Sequence, residues 1–174
     1  FKTEEIKIPI KKKIIKRIFF DKGKHIYLVG GSVRDLIIGR KPKDFDFVVT
    51  GYTEESFKSR FPQSQYVGKS FGVFLLDGHE FALARTETKT DKGHKGFGVE
   101  FVNDINLDLK RRDLTCNAIA LELCTGQLID PFNGIDDISN KILKHVSKAY
   151  SEDPLRVYRT ARFASQLGFD IDDK

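Results

Sequence analysis

At 174 residues, 40% hydrophobic and 32% charged, the chain has the size and composition of one ordinary globular core, with room for a short extension but not for two full domains. Its two cysteines, Cys116 and Cys124, exclude a disulfide framework and a cysteine zinc site, and its apolar runs are too short to span a bilayer, so a cytoplasmic protein with no membrane partner is expected. A formal net charge of +5 suits a polyanionic partner without requiring one.

Residues 4–20 read as a helix. From Ile6 to Phe20 the apolar spacing is helical but is broken by Lys7, Lys11, Lys12, Lys13, Lys16 and Arg17, which is unlike a signal peptide. A solvated basic face is expected, with a phosphate-contacting or membrane-surface role as the alternatives. A strand follows over His25–Val29, then Gly30-Gly31-Ser32 opens a helix over Ser32–Ile38 that carries Arg34. An apolar strand feeding a glycine turn at a helix start can cradle phosphate, although such a turn is also a common strand-to-helix connection. Phe45–Val49 reads as the next strand, with Asp44 and Asp46 alternating with Phe45 and Phe47, so both carboxylates leave one face. A phosphate cradle followed by paired carboxylates suggests metal-dependent nucleotidyl transfer.

Further along, residues 54–60 read as a helix, and Val73–Leu76 with Glu80–Ala84 as a hairpin turned by Asp77-Gly78. The polar, glycine-rich stretch 86–104 is expected to be a mobile surface loop. Lys110-Arg111-Arg112-Asp113 precedes a strand over 118–123, and 128–129 and 142–145 are further strand candidates. Pro131 and Asn133-Gly134 mark a turn within Asp130-Pro131-Phe132-Asn133-Gly134. Asp153 before Pro154 is the expected cap of a helix on which Arg156, Arg159 and Arg162 recur at three-residue spacing. As a donor fork beside an acceptor, Arg156 with Asp153 could complement a base edge.

In this order the motifs resemble those of the class II nucleotidyltransferases, the family of the CCA-adding tRNA nucleotidyltransferases and bacterial poly(A) polymerases. The resemblance covers nearly the whole chain. It implies a polymerase-beta-like α/β (α+β) head with a small mixed or antiparallel sheet backed by helices. Residues 1–146 would form this head, with its basic N-terminal helix, and 147–174 the start of a helical neck. It further implies that Gly30, Gly31, Ser32 and Arg34 meet the triphosphate, that Asp44 and Asp46 hold Mg2+ (or Mn2+), and that Arg112 and Asp113 meet the ribose side. Asp153 with Arg156 would select the base, and Arg159 and Arg162 on the same helix would also be nucleotide-binding. Glu80 is the candidate third catalytic carboxylate and Glu87 the fallback. The segment around Asp130 would act as a hinge, and the stretch 86–104 matches a loop tied to the change from C to A addition.

The implied activity is transfer of CMP and AMP from CTP and ATP to the tRNA 3′ end. Poly(A) polymerase and CC-only or A-only enzymes share the motifs, and a non-catalytic nucleotide- or RNA-binding module is the reading from another class. Family members continue for roughly as many residues again beyond the point matching Lys174, so tRNA-positioning elements are expected downstream. Oligomeric state is not legible in the sequence.

Overall fold

The computed structural model describes residues 7–67, 72–89, 97–146, 164 and 167–171, the side chains of 87–89 and 97–99 excepted. In chain order the elements are α1 (Lys12–Phe20), β1 (His25–Val29), α2 (Gly31–Ile38), β2 (Asp46–Thr50), α3 (Glu54–Arg60), β3 (Gln65–Tyr66), β4 (Val73–Leu76), β5 (His79–Leu83), β6 (Arg85–Lys89) and β7 (Phe97–Phe101). They continue with α4 (Ile105–Lys110), a 3-10 turn (Thr115–Asn117), β8 (Ala120–Glu122), β9 (Leu128–Ile129), α5 (Gly134–Ser139), β10 (Ile142–Leu143) and β11 (Asp170–Ile171).

Seven strands form a mixed sheet in the order β3-β4-β5-β2-β1-β8-β9. Within it β2 and β5 run parallel and the other neighbours antiparallel. Parallel neighbours cannot be joined by a tight turn, and here α3, β3 and β4 supply the crossover. Two smaller pairs, β6 with β7 and β10 with β11, complete the strands described.

Strand alternation divides the core between two faces. Ile26 and Leu28 of β1, Phe47 and Val49 of β2, and Phe81 and Leu83 of β5 pack with Ile14 and Ile18 of α1, Val33 of α2 and Phe57 of α3. Phe47 stacks on Phe81 with ring centroids 5.0 Å apart, and Phe57 lies 4.8 Å from Phe74. The opposite face carries a smaller cluster in which Tyr27, Val29 and Val48 meet Ile105 and Leu109 of α4. A mixed sheet backed by helices is the expected fold class.

Several local expectations change. The first helix starts at Lys12 rather than at residue 4, with residues 1–6 outside the described set. Pro9 lacks an N–H and drives the preceding residue toward extended backbone, and the Lys11 N–H donates to Asp77 Oδ2 at 2.8 Å. The expected loop 86–104 holds a ribbon instead: Arg85 pairs with Phe101 and Lys89 with Phe97. Strand β6 is polar throughout and gains its order from pairing with β7, in which Phe97, Val99 and Phe101 alternate. The strand expected over 118–123 is shortened to Ala120–Glu122 by the 3-10 turn, and the one over 142–145 to Ile142–Leu143. Helices α4 and α5, six residues each, are too short for a periodic signal.

Helix α5 lies close against the 3-10 turn. A Cβ on Gly134 would overlap the Thr115 carbonyl oxygen, a backbone atom that cannot move aside cheaply. Gly134→Ala is therefore expected to destabilise the fold by about 1–3 kcal/mol, read as a lower urea midpoint at unchanged slope.

Candidate active site

Strand β1 ends at Val29, and Gly30 carries the chain into α2 with φ 74° and ψ −144°, a conformation L side chains avoid. No side chain caps the helix start, so the first-turn N–H groups of α2 point outward as anion donors. The Ser32 hydroxyl is buried and donates to the Val29 carbonyl at 3.0 Å. Ser32 thus braces the turn with its side chain and leaves its backbone N–H for a ligand.

Arg34 folds back over this turn, so that a Cβ on Gly31 would come within 3.1 Å of its Nη2. Asn117 and Asp35 both hold its guanidinium. Nη1 donates to Asn117 Oδ1 at 2.8 Å, while Nε and Nη2 donate to Asp35 Oδ1 at 3.2 and 3.1 Å. Asn117 is contributed by the 3-10 turn that follows Arg112 and Asp113. The same turn supports Cys116, whose thiol is pushed up to about 11 by burial and is unsuited to nucleophilic work at neutral pH.

The carboxylates reach the turn through strand register. Antiparallel pairing sets Val29 opposite Asp46, so the glycine turn at the end of β1 adjoins the start of β2. Asp44 and Asp46 are both exposed, while Phe45 and Phe47 pack toward the three-helix face. Parallel pairing of Phe47 with Phe81 brings the start of β5 alongside, and strand alternation puts exposed Glu80 on the face of Asp46. Among the described residues no three His, Cys, Asp or Glu side chains converge as a metal group. Glu87 lies on the separate β6–β7 ribbon, outside the seven-stranded sheet, and its side chain is not described.

The fourth component comes from the end of α4. Arg112 Nη1 would lie 3.7 Å from a Cβ on Gly30, beside the glycine turn, and Arg112 is also close enough to Asp46 to feel its charge. Burial pulls Arg112 below its usual value, opposed first by Asp108, while the Arg111 charge adds to the decrease. Asp108 itself is fully buried and accepts from Arg112 Nη2 at 3.0 Å and Arg111 Nη2 at 3.4 Å. Asp113 is half-buried, and its carbonyl accepts from the Val146 N–H at 3.0 Å.

The segment after β9 serves this assembly from a distance. Asp130 accepts from the N–H groups of Gly134 and Ile135 at 2.7 and 2.9 Å and so caps α5. Asp137 of that helix accepts the Thr115 hydroxyl at 2.5 Å. A chain of contacts thus runs from Asp130 through α5 and the 3-10 turn to Arg34.

Gly30, Gly31, Ser32, Arg34, Asp44, Asp46, Glu80 and Arg112 gather at one end of the sheet, with Asp113 next to Arg112 in sequence. Asp153, Arg156, Arg159 and Arg162 lie outside the described residues. Sequence reasoning missed Asp108 and Asn117. Asp108 stands three and four residues before the paired arginines, a spacing that brings side chains together on a helix and could have been noticed. Asn117 gave no such signal, because its partner Arg34 is distant in the chain. No helix among the described residues is long and apolar enough to cross a membrane.

The chain is similar to known proteins over most of its length. The chain is 53% identical over 153 residues to the CCA-adding enzyme of Marinobacter nauticus, a match covering 83% of this chain and 40% of the relative. The crystal structure of the Bacillus stearothermophilus CCA-adding enzyme in complex with CTP superposes with a TM-score of 0.77 at 35% identity, covering 97% of this chain and 42% of that one. A tRNA nucleotidyltransferase complexed with a primer tRNA and an incoming ATP analog gives a TM-score of 0.70 at 30% identity, with coverages of 91% and 46%. The chain thus spans less than half the length of each. The family described as the poly A polymerase head domain matches residues 26–144, from the second residue of β1 to the residue after β10. With its glycine turn and carboxylate strand both inside that match, the chain belongs to the poly A polymerase head domain family.

Proposed function

We propose that this chain is the catalytic head of a tRNA nucleotidyltransferase that transfers CMP and AMP from CTP and ATP to the 3′ end of tRNA. The observation that carries the reading is the register of Val29 opposite Asp46, which joins a phosphate-binding turn to a paired carboxylate in one site. The relatives' names and the CTP and tRNA complexes support the same substrates. A poly(A)-adding reaction is the second reading, favoured by the family's description. Pure nucleotide binding is a poorer account, since a binder has no need of exposed paired carboxylates beside the phosphate turn.

The family's enzymes generally use divalent metals, and the residues here fit one. Asp44 and Asp46 offer exposed hard oxygen donors on one face, and Mg2+ is commonly held by one or two carboxylates together with phosphate oxygens and water. Mn2+ accepts the same donors. Bound there, the metal would supply charge neutralisation for the transferring phosphoryl and the departing pyrophosphate and would acidify the attacking hydroxyl. Glu80, from the neighbouring strand, is proposed as an auxiliary carboxylate on the same face.

The chain's own groups do the positioning. The α2 N–H groups beyond Gly30 and Gly31 bind the triphosphate, with Arg34 adding a fixed cation beside them. Arg112 and Asp113 take the ribose side, and Asp153 with Arg156 reads the base edge, Arg159 and Arg162 extending that basic helix. We further propose the division at residue 146, with the head before it and the base-selecting helix of a neck after it.

The reading is tested with labelled CTP and ATP, Mg2+ and tRNA lacking its CCA end. This chain is assayed beside a chimaera that carries a relative's remaining residues. Stepwise C, C and A addition by either protein is the expected result. An A tract moves the assignment to poly(A) addition, and no Mg2+-dependent pyrophosphate release from either protein overturns it.

Asp46→Ala is expected to lower transfer by about a hundredfold or more while changing stability by less than about 0.5 kcal/mol, since it removes an exposed ligand and no packing. Rate assays paired with thermal melts check both halves. Asp153→Ala is expected to relax the preference for CTP and ATP over GTP and UTP more than it weakens triphosphate binding. Circular dichroism accompanies that measurement, because losing a helix cap costs about 0.5–2 kcal/mol by itself.

A further inference from the structure

Asp108 is a fully buried carboxylate that the proposed chemistry does not use. Burying an ionised carboxylate costs several kcal/mol unless donors surround it. Here there are three donors: the Arg85 N–H reaches Oδ2 at 3.0 Å, Arg111 Nη2 reaches Oδ2 at 3.4 Å and Arg112 Nη2 reaches Oδ1 at 3.0 Å. The Arg85 N–H and Arg111 both address Oδ2, so the buried Oδ1 is left to Arg112. The third partner is the arginine that also stands beside Gly30 and within the field of exposed Asp46.

Arg112 therefore lies between two carboxylates of different kinds. Asp108 is buried and surrounded by donors, whereas Asp46 is exposed at the end of the strand. The Arg112 Nε is buried without a hydrogen-bond partner, so the guanidinium is gripped at its far corner by Asp108 rather than along its edge. Besides Asp108, Asp46 is the carboxylate whose charge acts on Arg112, and it is needed elsewhere.

We infer that Asp108 is a positioning residue that holds Arg112 at the glycine turn, ready for nucleotide, and keeps it off Asp46. The inference rests on the nucleotidyltransferase reading and deepens it. Because Asp108 also takes the N–H of Arg85, the first residue of the β6–β7 ribbon, the same carboxylate ties the root of that ribbon to Arg112.

The test is a double-mutant cycle read by equilibrium binding of CTP with Mg2+, well below every variant's melting temperature. Asp108→Asn, Arg112→Gln and the double variant are prepared both in the native background and in an Arg111→Gln background. The second background removes the other arginine that Asp108 accepts from, so that the Asp108–Arg112 contact is read by itself. Asp108→Asn is expected to weaken CTP binding about tenfold or more, to the same level as Arg112→Gln, with no further loss in the double variant. A merely structural Asp108 would lower the melting temperature while leaving CTP affinity intact, or would add its effect to that of Arg112→Gln, and either result overturns the inference. An unsubstituted chain that binds neither CTP nor ATP overturns the functional reading itself, whereas normal binding with an unaffected Asp108→Asn overturns this inference alone.

Discussion

The site depends on the antiparallel register of β1 on β2. Ile26 and Leu28 with Phe47 and Val49 face the three-helix side, and Tyr27, Val29 and Val48 face α4. A slip of one residue would exchange the two sets and turn Asp46 toward a packed layer, so burial on both faces holds the register firmly. With Val29 opposite Asp46, the glycine turn and the carboxylate strand become neighbours through backbone pairing. Parallel pairing of β2 with β5 extends the same logic to Glu80.

The cations are placed by different means. Arg34 and Arg112 leave short helical pieces and are held by polar side chains at defined corners, Arg34 by Asn117 and Asp35 and Arg112 by Asp108. Long side chains lose rotamer freedom when fixed, and these contacts spend that entropy in the folded protein before any ligand arrives. The turn that carries Asn117 is in turn supported by α5 through Thr115, Asp137 and the close approach at Gly134. The α5 segment thereby becomes the foundation for an arginine at the glycine turn.

Much of this was legible in the residues. An apolar run identified β1, period-2 alternation identified β2 and β5, the Asp77-Gly78 pair identified the hairpin of β4 with β5, and α3 falls on Glu54–Arg60 as expected. Thr53 makes that last helix easy to recognise, since its side chain accepts the Ser56 N–H in a capping box. The β6–β7 ribbon was missed because β6 is polar throughout and neighbouring lysines and glycines read as a loop, although Phe97, Val99 and Phe101 of β7 alternate and could have been noticed. Helix α4 was missed because its six residues complete fewer than two turns and gain stability from Ile105 and Leu109 against the sheet rather than from propensity.

The sequence by itself determined the elements and the chemical inventory: glycines where the chain must turn with positive φ, alternating carboxylates, paired arginines, and apolar periods that make a layered α/β fold. These are local properties, set by backbone sterics and by which face of an element is apolar. Only the tertiary structure decided which of the polar groups meet. Asn117 reaches Arg34, and Asp108 gathers Arg85, Arg111 and Arg112, because the sheet order and the packing of α4 and α5 bring distant segments into one buried region. There an unpaired charge costs far more than it does in water, so the partners chosen by packing become the ones that orient the site.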